Sequence, residues 1–78
     1  MFSQHALDVM HERGISRIWV LDTLKSPSVK MSITDNEEHY FKQIGDAENR
    51  CLKVVYNPEF RRVVTAYFDR NMRKKGCQ

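Results

Sequence analysis

Seventy-eight residues of 9.3 kDa, 41% apolar and 29% charged, are enough for one small globular domain. That length excludes dinucleotide-binding βαβ pairs, barrels and multidomain enzymes, and eight aromatic residues beside three Gly and two Pro exclude collagen-like and disordered chains. The net charge of +3 is uneven: residues 1–69 hold nine Lys and Arg against ten Asp and Glu, whereas residues 70–78 hold Arg70, Arg73, Lys74 and Lys75 and no acid.

Ser3 is suited to cap a helix over 4–13, and Gly14 to close it. On that helix Ala6, Leu7, Val9 and Met10 cluster on one face, while Asp8, His11 and Glu12 lie away from it. Arg13 falls on the apolar side and His5 at its border. Ser16 caps a second helix over 17–25, which Pro27 stops, and Ile18, Trp19, Val20, Leu21 and Leu24 make it apolar over most of its girth. From Val29 onward the apolar period shortens to two, which predicts strands over 29–34, 38–44, 50–56 and 61–68, with turns at 35–37, 45–49 and 57–59. Loops this short permit hairpins but no parallel crossover. The expected fold is therefore α+β, with two N-terminal helices packed on one face of a four-stranded antiparallel sheet. Its core is expected at Trp19, Leu21, Leu24, Val54, Val64 and Ala66. Alternation turns Leu52, Val54, Tyr56, Val64, Ala66 and Phe68 toward the helices, and Cys51, Lys53, Val55, Val63, Thr65 and Tyr67 to the opposite face. The domain is expected over residues 1–69, followed by a basic tail over 70–78.

Cys51 and Cys77 are too few and too far apart for a disulfide scaffold or a CxxC site, and they read as reduced thiols of a cytosolic protein. Charged residues near the N-terminus leave no signal-peptide core, and the longest uncharged apolar run, from Ile18 to Leu21, is far below a membrane span. The chain is thus expected in the cytoplasm, off the membrane. No phosphate-loop, zinc-protease or nucleophile-elbow motif occurs. His5 and His11 diverge by about 120° on a helix, and His39 has no acidic or thiol partner at a ligand spacing, so neither a metal nor any other cofactor is expected. Arg13 on an apolar face needs a partner: a carboxylate such as Asp22, a loop carbonyl, or a phosphate in a cleft. His5 suits either a backbone hydrogen bond or proton transfer near neutral pH. The basic tail suits either phosphate contacts or simple solvation.

His5-Ala6, Met10-His11-Glu12-Arg13-Gly14-Ile15-Ser16, Leu52-Lys53-Val54-Val55 and Val63-Val64-Thr65-Ala66-Tyr67 resemble a family of small bacterial and archaeal domains of unknown function. Its pattern is an N-terminal His-Ala, a downstream Arg-Gly-Ile-Ser and a closing Val-Val-Thr-x-Tyr strand, and the match runs from Phe2 to about Phe68. That family looks related to the BrnT and RelE toxins, within a wider group of barnase-, EndoU- and RelE-like nucleases. The resemblance implies a metal-independent endoribonuclease acting on RNA, with an antitoxin protein as a partner. By position it makes His5 the general acid or base, Arg13 and Lys53 the phosphate ligands, and Thr65 and Tyr67 the groups that orient phosphate or ribose. RelE toxins use a cluster of basic and tyrosine residues near the C-terminus, and here Arg70, Arg73, Lys74 and Lys75 would have to fill that place. Two alternatives stand beside this one: a non-catalytic nucleic-acid-binding domain of the same fold, and a protein-interaction domain with no nucleic-acid role.

Overall fold

Each helix begins where a serine hydroxyl satisfies an otherwise unpaired backbone N–H. In the computed structural model of the protein, which describes residues 1–72 and Cys77, Ser3 Oγ accepts from Ala6 N at 3.0 Å and opens α1 (Gln4–Arg13). Gly14 closes that helix at φ 67°, a left-handed conformation in which a Cβ would be strained. Ser16 Oγ accepts from Trp19 N at 3.1 Å and opens α2 (Arg17–Lys25). Four strands follow: β1 (Val29–Thr34), β2 (Glu37–Ile44), β3 (Arg50–Asn57) and β4 (Arg62–Phe68). They pair antiparallel in the order β1-β2-β3-β4. Helix α1 lies along β4 and α2 crosses β2 and β3, so both helices cover one face of the sheet. The α+β fold expected from the sequence is the fold observed.

Between the layers sit Ala6, Met10, Ile15, Val20, Tyr40, Ile44, Leu52, Val54, Val63 and Ala66. Trp19 and Leu24 pack against this core from its rim, partly buried rather than enclosed. Two expected core residues are not in it. Leu21 is 42% exposed, because α2 rests on the sheet through Val20 and Thr23 and turns Leu21 to solvent. Val64 is 38% exposed, and the cause is a β-bulge. Val55 pairs with Thr65 but Tyr56 pairs with Val63, so Val64 is the extra residue and the alternation of β4 inverts there. Val63, expected on the far face, is therefore fully buried against the helices.

Two further contacts join segments remote in sequence. Met1 to Ser3 run beside the outer edge of β4, where Val63 N donates to Met1 O and Ser3 N donates to Val63 O, with Phe2 and Val63 in an isolated parallel bridge. At the other end of the chain, Cys51 and Cys77 form a disulfide across 26 residues. The expectation of two free thiols is corrected: Cys77 packs against the sheet beside Cys51, with the two Cα atoms 6.0 Å apart, within the span a disulfide bridges. Met72 and Cys77 are buried there with Phe41 and Cys51.

Candidate nucleic-acid interface

The sheet face away from the helices is built by strand register. Val29 pairs with Phe41, Phe41 with Lys53, and Lys53 with Tyr67, so one row of side chains crosses all four strands. Lys53 Nζ lies 5.8 Å from the centre of the Phe41 ring and 5.2 Å from that of Tyr67. The guanidinium of Arg13, reaching over from the end of α1, lies 5.8 Å from the same Tyr67 ring. Aromatic ring and cation thus alternate in the order Phe41, Lys53, Tyr67, Arg13, each cation held by the electron-rich face of a neighbouring ring.

Arg13 reaches this position because β4 is an edge strand with unpaired carbonyls. Its Nη1 donates to Ala66 O at 2.9 Å. A strand carbonyl, then, is the partner that the apolar setting of Arg13 demanded, while Asp22 pairs instead with Lys42 at 2.7 Å. One guanidinium nitrogen is committed to the protein, and the remaining donors of the fork are free for a ligand. Among the described residues neither Arg13 nor Lys53 has a carboxylate partner. Two uncompensated cations about one aromatic ring make a site for an anion.

Thr65 lies on the same face, half-buried, two residues before Tyr67 and opposite Val55. Arg13, Lys53, Thr65 and Tyr67 are therefore brought to one surface. His5 is not with them. It is exposed on the first turn of α1, about 12 Å along the helix axis from Arg13, and has no hydrogen-bond, ionic or ring partner among the described residues. Arg70 is exposed just beyond β4, and Arg73, Lys74 and Lys75 lie outside the described residues.

Sequence reasoning missed a second imidazole. His39 Nε2 and Glu37 Oε2 stand 2.6 Å apart, and the His39 ring meets Phe41 edge-on at 6.4 Å. His39 does have an acidic partner, contrary to expectation, because Glu37 belongs to β2 rather than to the preceding turn. In a strand, residues two apart share a face. The available signal was the Glu-x-His spacing itself. On the helix-facing side, burial raises the Tyr40 phenol above the usual tyrosine value, and its hydrogen bond to the Glu38 carboxylate at 2.8 Å adds to the rise. A groove of about 250 Å³ between α2 and the end of β2 is lined by Ile18, Trp19, Asp22, Gln43, Ile44, Gly45 and Asp46. Its acids suit a phosphate poorly. Among the described residues no group of three His, Cys, Asp or Glu is placed to hold a metal ion, and no helix is long and apolar enough to cross a membrane.

No curated protein and no solved structure matches the chain. A family model does, over residues 2–68, which take in both helices and all four strands. The chain therefore belongs to the family described as Domain of unknown function (DUF4258).

Proposed function

We propose that the open sheet face binds single-stranded RNA, and that the domain is a cytoplasmic, metal-independent endoribonuclease of the RelE and BrnT type with a protein antitoxin as partner. The observation that carries this proposal is the row Phe41, Lys53, Tyr67, Arg13, with a ring between two unpaired cations. Single-stranded RNA offers what such a row takes: phosphates for the cations and an unstacked base for the Tyr67 ring. Arg13 presents the planar fork that suits phosphate oxygens, Lys53 a point charge, and Thr65 a hydroxyl.

Cleavage of RNA without a metal requires three things. A base takes the proton of the ribose 2′-hydroxyl as its oxygen attacks phosphorus. Cations stabilise the charge that develops on the phosphoryl oxygens. An acid returns a proton to the departing 5′-oxygen, leaving a 2′,3′-cyclic phosphate and a 5′-hydroxyl. Arg13 and Lys53 fill the second role. His39, held by Glu37, is a proton-transfer group on the same sheet face, whereas His5 stands apart from the row, about 12 Å along α1 from Arg13. A second possibility, a non-catalytic RNA-binding domain of the same fold, draws support from the separation of His5 from the cationic row.

The test is to incubate the full chain with end-labelled single-stranded RNAs in a chelator and to measure binding and cleavage side by side. The endoribonuclease gives saturable binding and cyclic-phosphate products, both weakened by Lys53→Ala. Binding without products assigns the non-catalytic role. Absence of binding at low salt, across several RNAs, removes both.

A further inference from the structure

One end of the sheet face that carries Lys53 is closed by a second, smaller cluster. Phe41, Cys51, Met72 and Cys77 are buried together there, with Val29 packed against them. The turn that brings Met72 to this place starts at Asp69, whose N donates to Cys51 O at 2.8 Å and whose carboxylate accepts from Asn71 N and Met72 N. Cys77 is tied to Cys51 by the disulfide, and its own N donates to Met72 O at 3.1 Å. Under this cover Phe41 is only 3% exposed. The same ring is the first member of the row that continues through Lys53 to Tyr67. Every strand pairing lies within residues 29–68, so the pairing of the sheet does not depend on Met72 or Cys77.

We propose that the Cys51–Cys77 bond is a redox latch on the open sheet face: reduction by a dithiol frees Met72 and Cys77 from Phe41 and uncovers it as a second stacking ring beside Lys53. The latch stands on the buried cluster alone, while its effect on ligand rests on the RNA role proposed above. In the opening reaction a thiolate of the dithiol attacks Cys77 Sγ, and the Cys51 sulfur departs and takes up a proton. The second thiolate of the dithiol then displaces Cys77, which is protonated in turn. The protein gains two electrons and two protons as two thiols, and the dithiol leaves as its own disulfide. Oxidation by a small-molecule disulfide reverses both steps and closes the latch. In the closed form Phe41 is walled off by Met72 and Cys77, and RNA meets one ring, Tyr67. In the open form two rings flank Lys53, and each ring is a platform for one base.

The experiment prepares the full chain oxidised with a glutathione-type disulfide and reduced with a dithiol, and counts thiols by alkylation and mass. Binding of a short single-stranded oligouridine is then measured in both states at one salt concentration, beside Cys77→Ser and reduced Phe41→Leu. The expected result is no free thiol when oxidised, two when reduced, and about ten-fold tighter binding in the reduced form, the yield of one added stacked base. Cys77→Ser matches the reduced protein, and reduced Phe41→Leu loses the gain. Two free thiols after oxidation, equal affinity in the two states, or collapse of the sheet's amide protection on reduction each overturn the latch. If neither state binds oligouridine, the RNA role fails, and the latch is judged on the Phe41 ring resonances. A shift of those resonances between the two states supports the latch, and unchanged resonances overturn it.

Discussion

Arg13 can sit on the apolar side of α1 because its guanidinium has two things to touch: the free carbonyl of Ala66 on the edge of β4 and the ring of Tyr67. The hydrogen bond ties helix to strand, and the remaining donors face outward. Arg13→Ala should therefore lower stability by about 1 kcal/mol, the usual worth of one such bond, and also weaken RNA binding. Arg13→Lys keeps the charge without the fork, and its RNA affinity should fall between the two. Thermal unfolding and oligonucleotide binding measured on both variants check this. Lys53 makes no hydrogen bond or ion pair among the described residues, only ring contacts. Lys53→Ala should leave the melting temperature within a few degrees, while the slope of log affinity against log salt loses about 0.7, the share of one phosphate contact on a single strand. Tyr40 carries a pH dependence. Its phenol ionises at higher pH in the folded chain than in the unfolded one, so the stability gained by keeping it neutral is whole below about pH 10 and is lost as pH rises through the folded value. Tyr40→Phe should flatten that alkaline loss in a series of unfolding curves.

At the scale of elements, what the sequence made legible was local. Ser3, Ser16 and Gly14 are punctuation that acts within one helical turn, and the change of period at Val29 is visible in six residues. The bulge at Val64 was not legible, since Val-Val-Thr-Ala-Tyr alternates equally well in either phase. Its phase is settled by the partner strand and by Met1 to Ser3, which hydrogen-bond to Val63 on the outer edge of β4. The consequence is measurable. Val63→Ala should cost about 2 kcal/mol because Val63 is fully enclosed, and Val64→Ala should stay within about 0.5 kcal/mol of the unmutated protein. Denaturant unfolding of the two variants distinguishes this phase from the alternation expected without a bulge, which predicts the reverse order. The position of Glu37 has the same lesson. Placed in a turn it leaves His39 alone, whereas placed in β2 it falls beside the imidazole. Of the site, the residues on the last two strands were legible because pairing of neighbouring strands is nearly dictated by a short turn. The approach of Arg13 from α1 depends on packing between distant segments, which no local pattern encodes.

For the whole molecule, a chain of this size buries a limited core, and a covalent tie between β3 and the C-terminal segment has correspondingly large weight. Reduction should lower stability by roughly 3 to 4 kcal/mol, the chain-entropy worth of a loop of this length, without dissolving the sheet, whose pairings end at Phe68. Scanning calorimetry with and without a dithiol reads that change. The tie also orders the surface. One face of the sheet is sealed by helices, the outer edge of β4 by Met1 to Ser3 and Arg13, and one end of the far face by Met72 and Cys77. What remains open is the row from Lys53 through Tyr67 to Arg13, with Thr65 and the His39–Glu37 pair on the same side. The most direct test of this row as a nucleic-acid interface is a titration of the isotopically labelled full chain with a single-stranded oligoribonucleotide at low salt, following every backbone amide. The predicted result is saturable shifts at Arg13, Lys53, Thr65 and Tyr67, with α2 unmoved. Saturable shifts confined to α2 and the groove beside it, or none at any RNA concentration reached, would contradict the account.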